Sequence, residues 1–268
     1  MNTAITRILT IALLPAAAAS GATASYNGGN YAQAFDGLPS SGTYTLSGAG
    51  PFEVADAPIS ATGMTGWAIY KFAGTGTNLE FKVQDGSLSG SAGRGAISFG
   101  TASEADRALG GLATSNVAAG FGLTLTNTSA STFQSFTLSY TGEQWRDGGA
   151  AEADKLSFAY GVNSALDSAS LVSAASLDFI APITNNDDAA LNGNLAANRR
   201  AISATVTGLQ WAPGQTLVLR WTDADITGQD DGLAIDGLTF SAAVPEPTTA
   251  GVAMMAAGVM AARRRRSA

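Results

Sequence analysis

Between residues 26 and 242 apolar and polar positions alternate at a spacing of two, in short runs separated by Gly, Ser, Thr, Asn and Asp. That period sends successive side chains to opposite faces of a strand, so it predicts sheets with one buried face and one wet face. Leu79, Phe81 and Val83 alternate cleanly, as do Phe136, Leu138 and Tyr140, then Leu156, Phe158, Tyr160 and Val162. Further strands are predicted over 67–72, 96–99, 121–126, 177–180, 202–206, 217–221 and 233–240. In the last of these the phase slips by one residue at Asp236-Gly237, which predicts a β-bulge. A single short helix is expected over 104–109, and 185–200 reads as an exposed polar loop.

Many short strands without a βαβ rhythm define an all-β chain. The expected architecture is an antiparallel β-sandwich of the jelly-roll or concanavalin-like kind. Both ends depart from this pattern. Arg7, the apolar run from Ile8 to Leu14 and the A-x-A site Ala22-Thr23-Ala24 predict a secretory signal peptide over residues 1–24, with a cut after Ala19 as the alternative. Near the other end, Val244-Pro245-Glu246-Pro247 precedes an apolar run from Ala250 to Ala262 and then Arg263, Arg264, Arg265 and Arg266. A helix of about 13 residues reaches roughly 20 Å, short of a bilayer core of about 30 Å. The arginines compensate, because they mark the cytoplasmic side and their long side chains reach the interface. A short transmembrane helix acting as a temporary anchor is expected, which leaves 25–243 as the ectodomain and 244–268 as the terminal segment.

That terminal segment resembles the sorting signal of PEP-CTERM proteins. The resemblance implies an exosortase-type membrane protease as partner, acting at Val244, Pro245, Glu246 and Pro247 and discarding the arginine stop. It also implies an inner-membrane intermediate and then a place at the cell surface or in the extracellular matrix. The ectodomain resembles those of the same group in Tyr140-Thr141-Gly142-Glu143-Gln144-Trp145-Arg146, Phe158-Ala159-Tyr160, Arg220-Trp221-Thr222-Asp223 and Phe35-Asp36-Gly37-Leu38-Pro39. This second likeness implies a shared fold and no particular activity.

Composition narrows the chemistry. The ends hold five of the 14 basic residues and one of the 21 acidic ones, so the central part carries nine basic against 20 acidic groups, a net charge of −11. Phosphate binding needs a basic footprint, and nucleic acid is therefore excluded as a partner. The chain has no cysteine and no histidine. Disulfides, His-based nucleophilic systems and ordinary zinc sites are absent with them, leaving carboxylates, Lys and Tyr as acid/base groups.

Two polar constellations stand out. Asp223, Asp225, Asp230, Asp231 and Asp236 lie within 14 residues interspersed with glycine, a composition able to surround a hard cation such as calcium or to form a solvated hairpin. The run Asp231-Gly232-Leu233-Ala234-Ile235-Asp236 resembles the closing strand of secreted jelly-roll modules, which sits near a structural calcium. The resemblance implies Asp231 and Asp236 as ligands, although Gly237 stands where a second Asp is usual. In the other constellation, Trp145 and Trp221 with Glu143, Arg146 and Arg220 form either a sugar-stacking face for exopolysaccharide or core aromatics with bridging charges. A glycosidase pairing Glu143 with Asp223 is the less favoured possibility. The expectation is a non-enzymatic structural or adhesive surface protein, with a carbohydrate-binding module as the alternative.

Overall fold

The computed structural model describes residues 21–102 and 104–244. The N-terminal apolar run, the Pro245-Glu246-Pro247 element, the expected C-terminal helix and the arginine stop lie outside these residues. Among the described residues no helix is long and apolar enough to cross a membrane.

Two sheets face each other. The first contains β1 (Ala24–Tyr26), β4 (Phe52–Glu53), β5 (Trp67–Ala73), β9 (Ala118–Asn127), β11 (Lys155–Val162), β12 (Val172–Ser173), β13 (Phe179–Ile180) and β16 (Thr216–Asp223). The second contains β2 (Asn30–Gln33), β3 (Thr43–Ser47), β6 (Asn78–Gln84), β7 (Gly95–Phe99), β8 (Ala108–Leu112), β10 (Phe133–Asp147), β14 (Ala189–Ala190), β15 (Arg199–Trp211) and β17 (Gly232–Ala243). The all-β sandwich expected from the alternation is therefore present. Pairing is antiparallel except at β1 with β9 and β6 with β7, which run parallel.

Alternation in the strands fills the space between the sheets. Phe136, Leu138 and Tyr140 of β10 join Leu156 and Phe158 of β11 and Leu217, Leu219 and Trp221 of β16 in one continuous core. Trp221 sits at its centre, with Phe158 edge-on at 5.1 Å, Tyr140 edge-on at 5.5 Å, and Phe121 and Trp67 stacked at 6.0 and 6.1 Å. A bulge lies where the phase slip placed it. Ser139 faces Thr239 while Thr141 faces Asp236, and Gly237 takes a φ of 57°, a conformation a side chain would oppose.

Two local expectations fail. Residues 104–109 do not form a helix, because Ala108 and Leu109 begin β8, which is held between β7 and β17. The 177–180 segment is the last residue of a 3₁₀ turn (Ala175–Leu177), then Asp178 and the two residues of β13, not a full strand. The expected loop over 185–200 is largely irregular, but it contributes β14 to the edge of the second sheet. At the start of the described chain, Ala24 heads β1 and is buried, and the Thr23 hydroxyl bonds that of Thr126 at 2.6 Å. A cut after Ala24 removes one of three paired residues, whereas a cut after Ala19 leaves β1 whole.

Candidate functional site

The five residues expected to form a sugar-binding face do not come together. Trp221 and Arg220 belong to the first sheet, and Glu143, Trp145 and Arg146 to the second. Trp221 is fully buried between the sheets. Trp145 lies on the other face of β10, where alternation alone would leave it wet. There it packs with Ile97, Phe99, Ala108, Leu112 and Ala234 in a second, smaller core. The 188–198 segment closes over it, since a Cβ on Gly193 would stand 2.3 Å from the Trp145 Nε1. With 1% and 0% of their surfaces exposed, neither indole presents a face to a sugar ring, and the paired platform is corrected to core packing.

The arginines tie loops down. Arg146 donates to the Gly86 carbonyl at 2.9 Å and to the Asp188 carbonyl at 2.7 Å, and pairs with the Asp188 carboxylate. Arg220 donates to the carbonyl of Ser168 at 2.7 Å, fixing the loop that follows β11 over the first sheet. Both are positioning groups for backbone rather than open ligand contacts.

Glu143 and Asp236 are neighbours on the second sheet, where Thr141 faces Asp236 and Glu143 faces Ala234. Glu143 accepts the Trp145 indole N–H at 3.0 Å through Oε2, while its Oε1 has no partner. Burial first, then repulsion from Asp236, pushes its pKa up to about 7. Asp236 is pushed up to about 6, chiefly by burial, with Asp106 and Asp36 adding repulsion. The pairing of Glu143 with Asp223 is not formed, because Asp223 lies between the sheets at the end of β16 and Glu143 lies beneath the smaller core.

A measurable consequence follows for stability against pH. Between 4.5 and about 7 the folded chain holds a proton on Glu143 that the unfolded chain has released. Stability must fall as pH rises through that interval and level off above it. Glu143→Gln keeps an acceptor for the indole N–H but cannot ionise. The expected result is a loss of stability from pH 5 to pH 8 that is smaller in the variant by roughly 2 kcal/mol in denaturant titrations. Parallel pH curves for the two proteins would contradict the assignment.

The acidic residues divide into two places. Asp223 ends β16, with Leu156 opposite it, so Asp154 reaches the same end of the first sheet from β11. The turn after β16 brings Asp230 and Asp231 there, and Asp225 stands exposed at the rim. Asp236 lies elsewhere, beside Glu143, so the five expected cation ligands do not form one group. Asp154, which sequence adjacency could not connect to Asp223, Asp230 and Asp231, stands with them instead. Its Oδ1 accepts the Lys155 N–H at 2.7 Å and its Oδ2 the Asp231 N–H at 3.3 Å. Asp230 accepts the Ile226 N–H at 2.8 Å, and Asp231 the Gly148 N–H at 2.6 Å. Burial, then mutual repulsion, drives the Asp223 pKa well above the carboxylate range. Asp154 and Asp230 are pushed up to about 7, in each case chiefly by burial. Among the described residues no group of three acidic side chains is placed to hold a metal ion.

An open groove of about 510 Å³ lies on the outer side of the first sheet, lined by Tyr70, Lys71, Phe72, Asp167 and Arg220 among others. Among the described residues Phe72 is the exposed large aromatic side chain, at 42%.

Comparison with known proteins gives one sequence match, to the PEP-CTERM protein-sorting motif, over residues 243–266. The chain carries this motif, beginning at the last residue of β17. No curated protein matches the chain. Among solved structures it is similar to TmCBM61 in complex with beta-1,4-galactotriose, at 6% identity and a TM-score of 0.29, over 53% of this chain and 74% of that one. It is also similar to the mosquito-larvicidal Cry4Aa toxin from Bacillus thuringiensis, at 16% identity and a TM-score of 0.35, over 59% of this chain and 22% of the toxin. An isomalto-dextranase of Arthrobacter globiformis complexed with panose matches at 12% identity and a TM-score of 0.30, over 79% of this chain and 34% of the enzyme. The chain thus spans about a fifth of the toxin and a third of the enzyme. Likeness at this level assigns neither ligand nor activity.

Proposed function

We propose that the sandwich is a non-enzymatic structural component of the cell surface or extracellular matrix, delivered by its terminal motif and released from the membrane by an exosortase-type protease. One observation carries the reading: the sorting motif starts where the last long strand ends, so the anchor hangs directly from the folded sandwich. The interior supports a structural role. All four tryptophans are buried, Arg146 and Arg220 hold loops, and Glu143 is covered.

Recognition of exopolysaccharide is the second reading, and the groove bearing Phe72 and the exposed Asp167 favours it. An exposed ring beside a carboxylate can stack on a pyranose while the carboxylate accepts from its hydroxyls. A glycan array with the full-length protein separates the two. The structural reading predicts no binding above background. Binding that Phe72→Ala abolishes, with the thermal midpoint unchanged, would establish the carbohydrate reading in its place.

A further inference from the structure

One edge of the second sheet is open along a long strand. β15 runs for 13 residues and, among the described residues, pairs with β10 alone, so its outer side presents unpaired N–H and C=O groups. The strand at the far end of that sheet, β3, is only five residues long. An exposed edge is a template for a further strand, and proteins usually blunt it with charge, proline, a bulge or brevity. β15 carries such devices only near its ends. Arg199 and Arg200 begin it, and Gly208, at a φ of 79°, lies in the register shift before Trp211. Between them Ala201-Ile202-Ser203-Ala204-Thr205-Val206-Thr207 has no charge, no proline and no glycine, and is rich in β-branched residues. That is the composition of a segment prone to add a strand.

Both faces of this edge are unfinished. On the inner face Ile202, Ala204 and Val206 pack against the main core yet stay partly exposed, because no neighbour covers their outer flank. On the outer face Ser203 and Thr205 bond the hydroxyls of Ser139 and Thr137 at 2.7 Å, a ladder that ends at β15. The same side of the sandwich carries apolar surface from the first sheet. Val172 of β12 and Ile180 of β13 are 55% and 57% exposed, and the 3₁₀ turn between these strands packs against β15.

We propose that two copies of this chain pair antiparallel through β15, edge to edge, joining their second sheets into one. Charge selects a second copy as the occupant. The ectodomain is strongly acidic, yet no carboxylate occurs between Asp188 and Asp223, so like-charge repulsion between copies is weakest along this stretch. Antiparallel pairing about Ala204 places Arg199 and Arg200 of the two copies at opposite ends, whereas parallel pairing would set them against each other. It also keeps Ile202, Ala204 and Val206 of both copies on one face, so that each copy extends the other's core. Ser203 then faces Thr205 of the second copy, and the hydroxyl ladder continues across the junction. A two-fold contact of this kind uses the same patch on both copies and closes as a dimer. One strand pair buries little beside a standard interface, so the dimer is reversible. The pairing needs no contribution from the terminal motif.

The test is light scattering of the full-length chain in detergent, with the micelle mass subtracted, over a wide range of protein concentration. The unaltered chain should pass from monomer to dimer as concentration rises. Changing Ser203→Lys together with Thr205→Lys sets like charges opposite one another across the junction and should raise the dimer dissociation constant at least about tenfold. The matching pair of Glu substitutions, Ser203→Glu with Thr205→Glu, should do the same and guards against one variant failing to fold, since both positions are exposed. Mixing the Lys and Glu variants should restore dimers, which association through the membrane segment would not explain. An unaltered chain that stays monomeric at every concentration overturns the proposal, and so does undiminished dimerisation of either variant with an unchanged thermal midpoint.

Discussion

Trp221→Ala is expected to destabilise the sandwich by about 4 kcal/mol, within the range for deleting a buried large aromatic side chain. The ring is in contact with aromatic partners from both sheets: Trp67, Phe121 and Phe158 on its own side and Tyr140 across the core. Its removal opens a cavity where five rings meet, and rigid neighbours collapse poorly into such a space. A domain whose net stability is about 5–15 kcal/mol loses a large share of it. The indole N–H lies near the Tyr140 hydroxyl but makes no hydrogen bond of normal geometry, so Trp221→Phe forfeits volume and little else. Its cost should be less than half that of the alanine change in urea titrations. Equal losses for the two variants, or a loss below about 1 kcal/mol for alanine, would show that the ring is not the centre of the core.

Changing Pro245, Glu246 and Pro247 together to alanine in the native host is expected to abolish processing. The motif covers 243–266 and the three changed residues follow the end of β17 at Ala243, so the triple change leaves the strands of the sandwich untouched. The variant should accumulate in the inner-membrane fraction with its arginine stop attached, while the parent chain leaves that fraction. Normal release of the triple variant would contradict a role for the Pro-Glu-Pro element in recognition.

The fold was legible where alternation was clean. β6, β10, β11 and β16 match the period-two runs through Leu79, Phe136, Leu156 and Leu217, and the slip at Asp236-Gly237 marked a real bulge. Residues 104–109 misled because Glu104, Ala105, Arg107 and Leu109 are good helix formers, yet β8 is fixed by partners on both edges, and tertiary pairing overrides local propensity. The candidate sites were less legible for a related reason. Trp145 has the phase of a solvent-facing residue, but parts of the chain remote in sequence bury it: Phe99 stacks on its ring and the 188–198 segment, through Gly193, closes over it. Asp236 is close in sequence to Asp231 but lies well into β17 next to Glu143, so proximity along the chain grouped the wrong residues. Asp154 joins Asp223 through the register of β11 with β16, a long-range pairing that no local motif announces.

The central claim is that the chain is sorted and cut at its terminal motif. Mass spectrometry of the intact protein taken from the surface fraction of its own host tests this directly. The account predicts a chain that ends near Pro245-Glu246-Pro247 and lacks Arg263 to Arg266. A surface protein whose C-terminal peptide still contains those four arginines would contradict it.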